Sequence, residues 1–238
     1  MKILITNDDG IGSDGLIRLA DAAKEYGEVW VVAPETQRSA ASHSITLHGA
    51  ITVFPYMGFP VQGVRAYACD GTPADCVRVG VLSVMDTKPD LILSGINYGY
   101  NAATDIQYSA TAGAAFEGAF QQIRSVALSE SADPVHETSD RYLKEAIDIA
   151  LKTELDYGQI VNINFPHGRL KDCKGILTGR RVSHGMFYQD SYKKESGDES
   201  GRVTLMVDGK WSAIGEEDTD LKAIVDGYVS IGVVNNIS

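Results

Sequence analysis

The sequence predicts an α/β protein: a Rossmann-like, mostly parallel sheet flanked by helices, with a small β-rich C-terminal extension. Three observations predict it. Short, almost continuously apolar runs recur at residues 3–5, 28–33, 91–93, 125–129 and 160–164, the signature of strands buried on both faces. Between them stand segments with apolar residues at helical spacing, and such alternation builds a parallel sheet. Beyond Pro166 the alternation weakens into short apolar runs around a charged, glycine- and serine-containing stretch at 189–201.

The elements follow in order. The first strand ends in Asn7-Asp8-Asp9-Gly10, and Leu16, Leu19, Ala20 and Ala23 mark the apolar stripe of the first helix. Pro34 stops the second strand. Residues 51–56 and 64–68 read as strands around the turn Gly58-Phe59-Pro60. Thr72 is a helix N-cap with Pro73 at the first helical position, and Val77, Val81, Leu82 and Met85 form that helix's apolar side. The strand at 91–93 breaks into Ser94-Gly95-Ile96-Asn97, and a polar loop runs to Ser109. An alanine-rich helix covers 111–122, another covers 139–152, and 160–164 reads as the last strand of the main sheet. The 189–201 stretch reads as a hairpin tip or mobile loop, 202–207 and 228–234 as strands, and 219–226 as a helix. The expected division is residues 1–168 for the main unit and 169–238 for an oligomerising extension.

Composition narrows the function. The chain has 238 residues and a net charge of -11, which disfavours nucleic acid or an anionic membrane as a partner. A local metal ion can still reverse the field for a small phosphorylated substrate. Cys69, Cys76 and Cys173 are an odd set without metal-ligand spacing, and no apolar run approaches a membrane span. The expectation is a cytoplasmic protein with reduced thiols.

Three strand ends bring oxygen groups towards one sheet edge: Asp8 and Asp9, then Ser39, then Asn97. Adjacent carboxylates repel unless a cation or proton stands between them. Two carboxylates, a hydroxyl and an amide carbonyl suit a hard divalent ion such as Mg²⁺ or Mn²⁺. The same residues also fit solvated turns. Ser109 and Thr111 bracket the start of the alanine-rich helix, where free amides attract phosphate or a hydroxyl simply caps the helix. The five histidines form no zinc pair; His43, near Ser39, is the one candidate acid or base at this edge. Adjacent rather than alternating acids argue against a covalent aspartyl-phosphate, and no Gly-Lys-Ser/Thr phosphate loop is present. Metal-activated water remains as the nucleophile.

Asn7-Asp8-Asp9-Gly10, Arg38-Ser39 in the 34–44 loop, Gly71-Thr72-Pro73-Ala74-Asp75-Cys76, Ser94-Gly95-Ile96-Asn97 and Tyr108-Ser109-x-Thr111 stand in an order that resembles the SurE family. These are stationary-phase survival proteins, metal-dependent nucleotidases of nucleoside 5′- or 3′-monophosphates. The resemblance implies Asp8 and Asp9 as catalytic groups. It implies Asp8, Asp9, Ser39 and Asn97 as ligands of one divalent ion per subunit. Asn97, Ser109 and Thr111 would lie at the phosphate, and the subunits would form a homodimer or homotetramer. Ala40, Ala103 and Ala110 replace family glycines, where a Cβ restricts the backbone. Two rivals share acids after a first strand. A receiver-like phosphoacceptor domain needs an Asp at the third strand end and a Lys after the fifth, neither of which is evident. A metal-dependent sugar-nucleotide transferase is the other.

Overall fold

The computed structural model describes residues 1–237. A nine-stranded sheet forms its centre. In chain order its strands are β1 (Lys2–Thr6), β2 (Glu28–Pro34), β3 (Val53–Pro55), β4 (Arg65–Cys69), β5 (Leu91–Tyr98), β6 (Arg124–Glu130), β7 (Gln159–Phe165), β8 (Ile176–Leu177) and, near the end of the chain, β13 (Val229–Asn235). Their spatial order is β3-β4-β2-β1-β5-β6-β7-β13-β8. The run from β4 to β7 is parallel; β3 and β13 join antiparallel. The remaining strands, β9 (Tyr188–Gln189), β10 (Tyr192–Gly197), β11 (Val203–Val207) and β12 (Lys210–Trp211), make two small antiparallel pairs.

The chain lays β2 and β4 on one side of β1, then crosses to β5 on the other. Strand order therefore reverses between β1 and β5, and ligands of open α/β sheets bind beyond the carboxyl ends of the strands at such a switch point. Asp8 and Asn97 stand at those two ends.

Helices α1 (Asp14–Ala23) and α4 (Glu137–Lys152) cover one face, where Leu16, Leu19, Leu143 and Ile147 bury against Ile3, Ile5, Leu93 and Leu128. Helices α2 (Pro73–Val79) and α3 (Ala110–Phe120) cover the other. The sequence signals explain α2: Thr72 accepts from the Asp75 N–H, the Asp75 carboxylate accepts from the Thr72 N–H, and Pro73 begins the helix. Such reciprocal capping contributes on the order of 1 kcal/mol. Helix α5 (Asp220–Val225) leads into β13.

Four expectations change. The sheet does not end at 160–164, because β13 pairs with β7 from Ser230–Asn164 to Asn235–Gln159, and β8 adds beyond it. Alternation along a chain cannot announce a strand that returns from a distant segment. The strand from Leu91 does not break at Ser94; it passes an irregularity and resumes pairing at Asn97–Ser129 and Tyr98–Glu130. Gly95 allows this, since at φ +138 a Cβ there would lie 2.2 Å from the Leu128 carbonyl oxygen. Leu82 falls in a widened helical turn after α2 and is exposed rather than packed. The 189–201 stretch contains a strand, and 192–207 forms the antiparallel hairpin β10–β11. No helix among the described residues is long and apolar enough to cross a membrane.

Candidate active site

The predicted site residues lie in the loops that follow β1 and β2, near the end of β5, and at the start of α3. Asp8 is buried at 4% exposure, two residues beyond β1. Its carboxylate Oδ1 accepts the Thr111 hydroxyl, and its carbonyl accepts the Arg38 N–H at 2.7 Å. Burial pushes the Asp8 carboxyl up; the Thr111 hydrogen bond opposes this and the neighbouring Asp9 charge adds to it. The net result is a pKa of about 6. Asp9 is also raised, by burial, against the hydrogen bonds it receives. Those come from the Tyr98 N–H at 3.0 Å and from Gln37 Nε2 at 3.4 Å.

Gln37 is a residue that the sequence reading missed. Its Nε2 lies 2.9 Å from Ser39 Oγ as well, so one amide links the β1 acid to the β2-loop serine. A glutamine in a polar loop carries no spacing signal that would have marked it. Asn97 donates through Nδ2 to the Gly99 carbonyl at 2.8 Å, which leaves its Oδ1 as a free acceptor. Asn7, fully buried, ties the turn together by donating to Gly10 O at 3.0 Å and Ser13 Oγ at 2.6 Å, while its Oδ1 has no protein partner.

Ser109 takes the capping role: its Oγ accepts from the Ala112 N–H at 3.0 Å, and its own proton stays available. The Thr111 hydroxyl, a phosphate candidate from the sequence, donates to Asp8 Oδ1. The first-turn amides of α3 at Ala110 and Thr111 have no intrahelical acceptor, so the anion-attracting end of the helix faces the carboxylate edge.

His43 does not stand with the acids. Its Nε2 lies 3.1 Å from Glu117 Oε2, and its ring stacks on Phe120 at 5.5 Å. Glu117 is buried on α3 and also meets Arg78 and Gln121. Burial opposes its ionisation, but His43, Gln121 and Arg78 outweigh it and hold its pKa below the ordinary carboxylate value. The Ser42 N–H bonds to Tyr108 O at 3.1 Å, and at Gly113 a Cβ would lie 2.5 Å from Ser42 O. The loop bearing Ser39 is thus pressed against α3 and tied to it. Glu117 had a signal in the sequence, the one acid in a helix of small and apolar residues, and it was passed over.

Of Ala40, Ala103 and Ala110, the first two adopt left-handed backbone at φ 58 and 54. Ala110 is the first residue of α3 and carries no such strain.

Among the described residues no Lys, Arg or His pairs with Asp8 or Asp9. Two adjacent acids whose side-chain partners are all neutral, the Thr111 hydroxyl, the Tyr98 N–H and the Gln37 amide, form the charged part of a hard-cation donor set. No group of three or more His, Cys, Asp or Glu could hold a metal among the described residues, so any ion here would rest on two carboxylates completed by neutral oxygens. A hollow of about 350 Å³ opens beside Asp9, lined also by Gln37, Tyr98, Glu130 and His136.

Fold and site together define an α/β protein with an acid-rich, anion-receptive site at its topological switch point. Comparison with known proteins makes the class specific. Residues 3–186 match the family described as Survival protein SurE. A relative named 5′-nucleotidase SurE from Caldanaerobacter subterraneus subsp. tengcongensis is 40% identical, spanning 97% of this chain and 89% of the relative. One of the same name from Clostridium beijerinckii is 37% identical, spanning 97% and 91%. The crystal structure of the SurE protein from Aquifex aeolicus superposes with a TM-score of 0.82 at 31% identity, covering 99% of this chain and 93% of that one. The chain belongs to the SurE family.

Proposed function

We propose that this protein hydrolyses nucleoside 5′- or 3′-monophosphates to nucleoside and phosphate, and that it depends on one divalent cation, Mg²⁺ or Mn²⁺, per subunit. The observation that carries the reading is the adjacent pair of acids, Asp8 buried against Thr111 at the N-terminus of α3 and Asp9 half-buried beside it, with no Lys, Arg or His paired to either among the described residues. The names of the relatives support the substrate class.

Asp8, Asp9, Ser39 and Asn97 would hold the ion. When bound, such an ion would supply Lewis acidity and lower the pKa of a water so that hydroxide is available to attack phosphorus near neutral pH. Asp8 and Asp9 are the catalytic pair, and Gln37 positions Asp9 and Ser39 on the two sides of the cleft. The Ser109 hydroxyl, the first amides of α3 and Asn97 would bind the phosphoryl oxygens, with Thr111 joining as its bond to Asp8 relaxes. Donors fixed by the fold need no reorganisation as charge moves onto the oxygens, which is why such an edge favours the transition state.

The test is a phosphate-release panel across nucleoside monophosphates with 5′ and 3′ esters, on protein stripped by chelator and then given Mg²⁺ or Mn²⁺. Release only with metal supports the reading. Absence of release from every nucleotide under every metal overturns it.

A further inference from the structure

A second cavity, of about 570 Å³, lies beyond the ends of the neighbouring strands. Gly99 and Tyr100 reach it from the end of β5, Ser131 to Asp133 from β6, and His167 from β7. The C-terminal segment closes the opposite wall with Phe187, Tyr188 and Trp211. Its size falls within the range of small-molecule sites, which are mostly apolar with a few polar groups.

The wall is aromatic and ordered. Tyr100 and Phe187 meet edge to face at 5.7 Å, and Phe187 and Trp211 lie 6.1 Å apart with their planes tilted by 50°. The stretch at Gly185–Tyr188 is tied to the helical turn at Ala103–Gln107. Thr104 donates to Gly185 O through its N–H at 3.1 Å and its hydroxyl at 2.8 Å, and the Tyr188 N–H donates to Asp105 at 2.9 Å. Polar groups are few. The Tyr100 hydroxyl is buried with no protein partner, and His167 Nδ1 meets Asp133 Oδ2 at 2.5 Å. A buried hydroxyl without a partner is costly unless a ligand or water supplies one.

The cavity adjoins the acid site. Tyr98, whose N–H holds Asp9, is followed directly by Gly99 in the cavity wall, and successive Cα atoms are about 3.8 Å apart. The acid edge and the cavity thus share the stretch of chain that leaves β5.

We infer that this cavity is the nucleobase subsite: it takes the planar ring of a purine or pyrimidine against Trp211 and Phe187, with ring heteroatoms meeting the Tyr100 hydroxyl. The inference rests on the nucleotidase reading and specifies where the base sits. Aromatic stacking accepts any base because every base has a π-face, so the subsite discriminates nucleotides from plain phosphate esters more than one base from another.

Only Trp30 and Trp211 are tryptophans, and Trp30 is buried in β2 against Tyr67, outside the lining of the cavity. Adenosine, which has no phosphate, should quench the fluorescence of the wild-type protein saturably, and Trp211→Phe should abolish the quenching. In kinetics, Trp211→Ala and Phe187→Ala, checked by circular dichroism, should each lower the ratio of kcat/KM for AMP to that for glycerol phosphate by roughly ten- to a hundred-fold. An unchanged ratio, or no adenosine-dependent quenching, overturns the subsite. Trp211 quenching that tracks protein concentration and ignores adenosine also overturns it, because a second copy then fills the cavity. A wild-type protein that hydrolyses neither ester refutes the nucleotidase reading, while the adenosine titration still judges the cavity.

Discussion

At the residue scale, Asp8 is where the chemistry is most exposed to test. Its carboxyl has a folded pKa of about 6 against an ordinary 3.8. A group raised in this way costs stability when ionised, fully above about pH 6 and not at all below the unfolded value. The metal-free protein should therefore gain stability from this group as pH falls from 7 towards 4.5, measurable by urea melts across that window. Metal binding requires the ionised form, so Mn²⁺ affinity should fall about tenfold per pH unit below 6, read by calorimetry with its accompanying proton release. A metal affinity flat between pH 5 and 7 would contradict this. Thr111→Val removes the hydroxyl that stabilises the ionised carboxylate. The acid limb should move up by on the order of one pH unit, since a hydrogen bond to a charged group contributes about 1.5–3 kcal/mol. Ala103 makes a separate case. It is buried with φ 54, a conformation that costs an L-residue roughly 1–2 kcal/mol. Ala103→Gly should raise the unfolding free energy by up to about 1 kcal/mol, read from the urea melt, after the glycine's greater unfolded entropy is subtracted.

At the scale of elements, the acids and the capping signals were legible before the structure because each is local. Asp8-Asp9 follows an apolar run, Thr72-Pro73 opens a helix, and Leu16, Leu19, Ala20 and Ala23 keep helical period; each was found where the sequence placed it. Gln37, the His43–Glu117 pair and the return of β13 were not legible, because each depends on residues brought together from distant parts of the chain. His43 looked like a residue of the acid edge since it is near Ser39 in sequence, but its side chain turns to α3. That contact fastens the Ser39 loop to the helix bearing Ser109 and Thr111. Glu117→Gln keeps the size and loses the charge, so it should cost about 1–2 kcal/mol of stability and weaken Mn²⁺ binding several-fold through the loosened loop. Gly113→Ala pushes a Cβ to 2.5 Å from Ser42 O and should weaken metal binding at least as much, at a cost of about 1–3 kcal/mol. Unaltered metal affinity in both variants would show that the loop holds Ser39 without help from α3.

At the scale of the whole molecule, the sheet is closed at its β7 side by chain from the C-terminal segment, while the hairpin β10–β11 stands away from it. Both strands of that hairpin are exposed, with Leu205, Met206 and Val207 each more than half accessible. Two-stranded ribbons are marginal alone in water, and a patch of this kind marks an interaction surface. We propose that it packs on another subunit to give a homodimer or homotetramer, which light scattering at micromolar concentration decides: a stable monomer counts against it. The central claim is narrower, that Asp8 and Asp9 serve phosphate-ester hydrolysis through a divalent ion. Its most direct measurement is phosphate release from AMP by chelator-stripped protein, with and without added Mn²⁺, for the wild type and for Asp8→Asn folded to the same circular dichroism spectrum. The account predicts turnover that appears with Mn²⁺ and falls by at least a hundredfold in Asp8→Asn. Wild-type turnover undiminished in excess chelator, or near wild-type turnover in Asp8→Asn at limiting Mn²⁺, would contradict it.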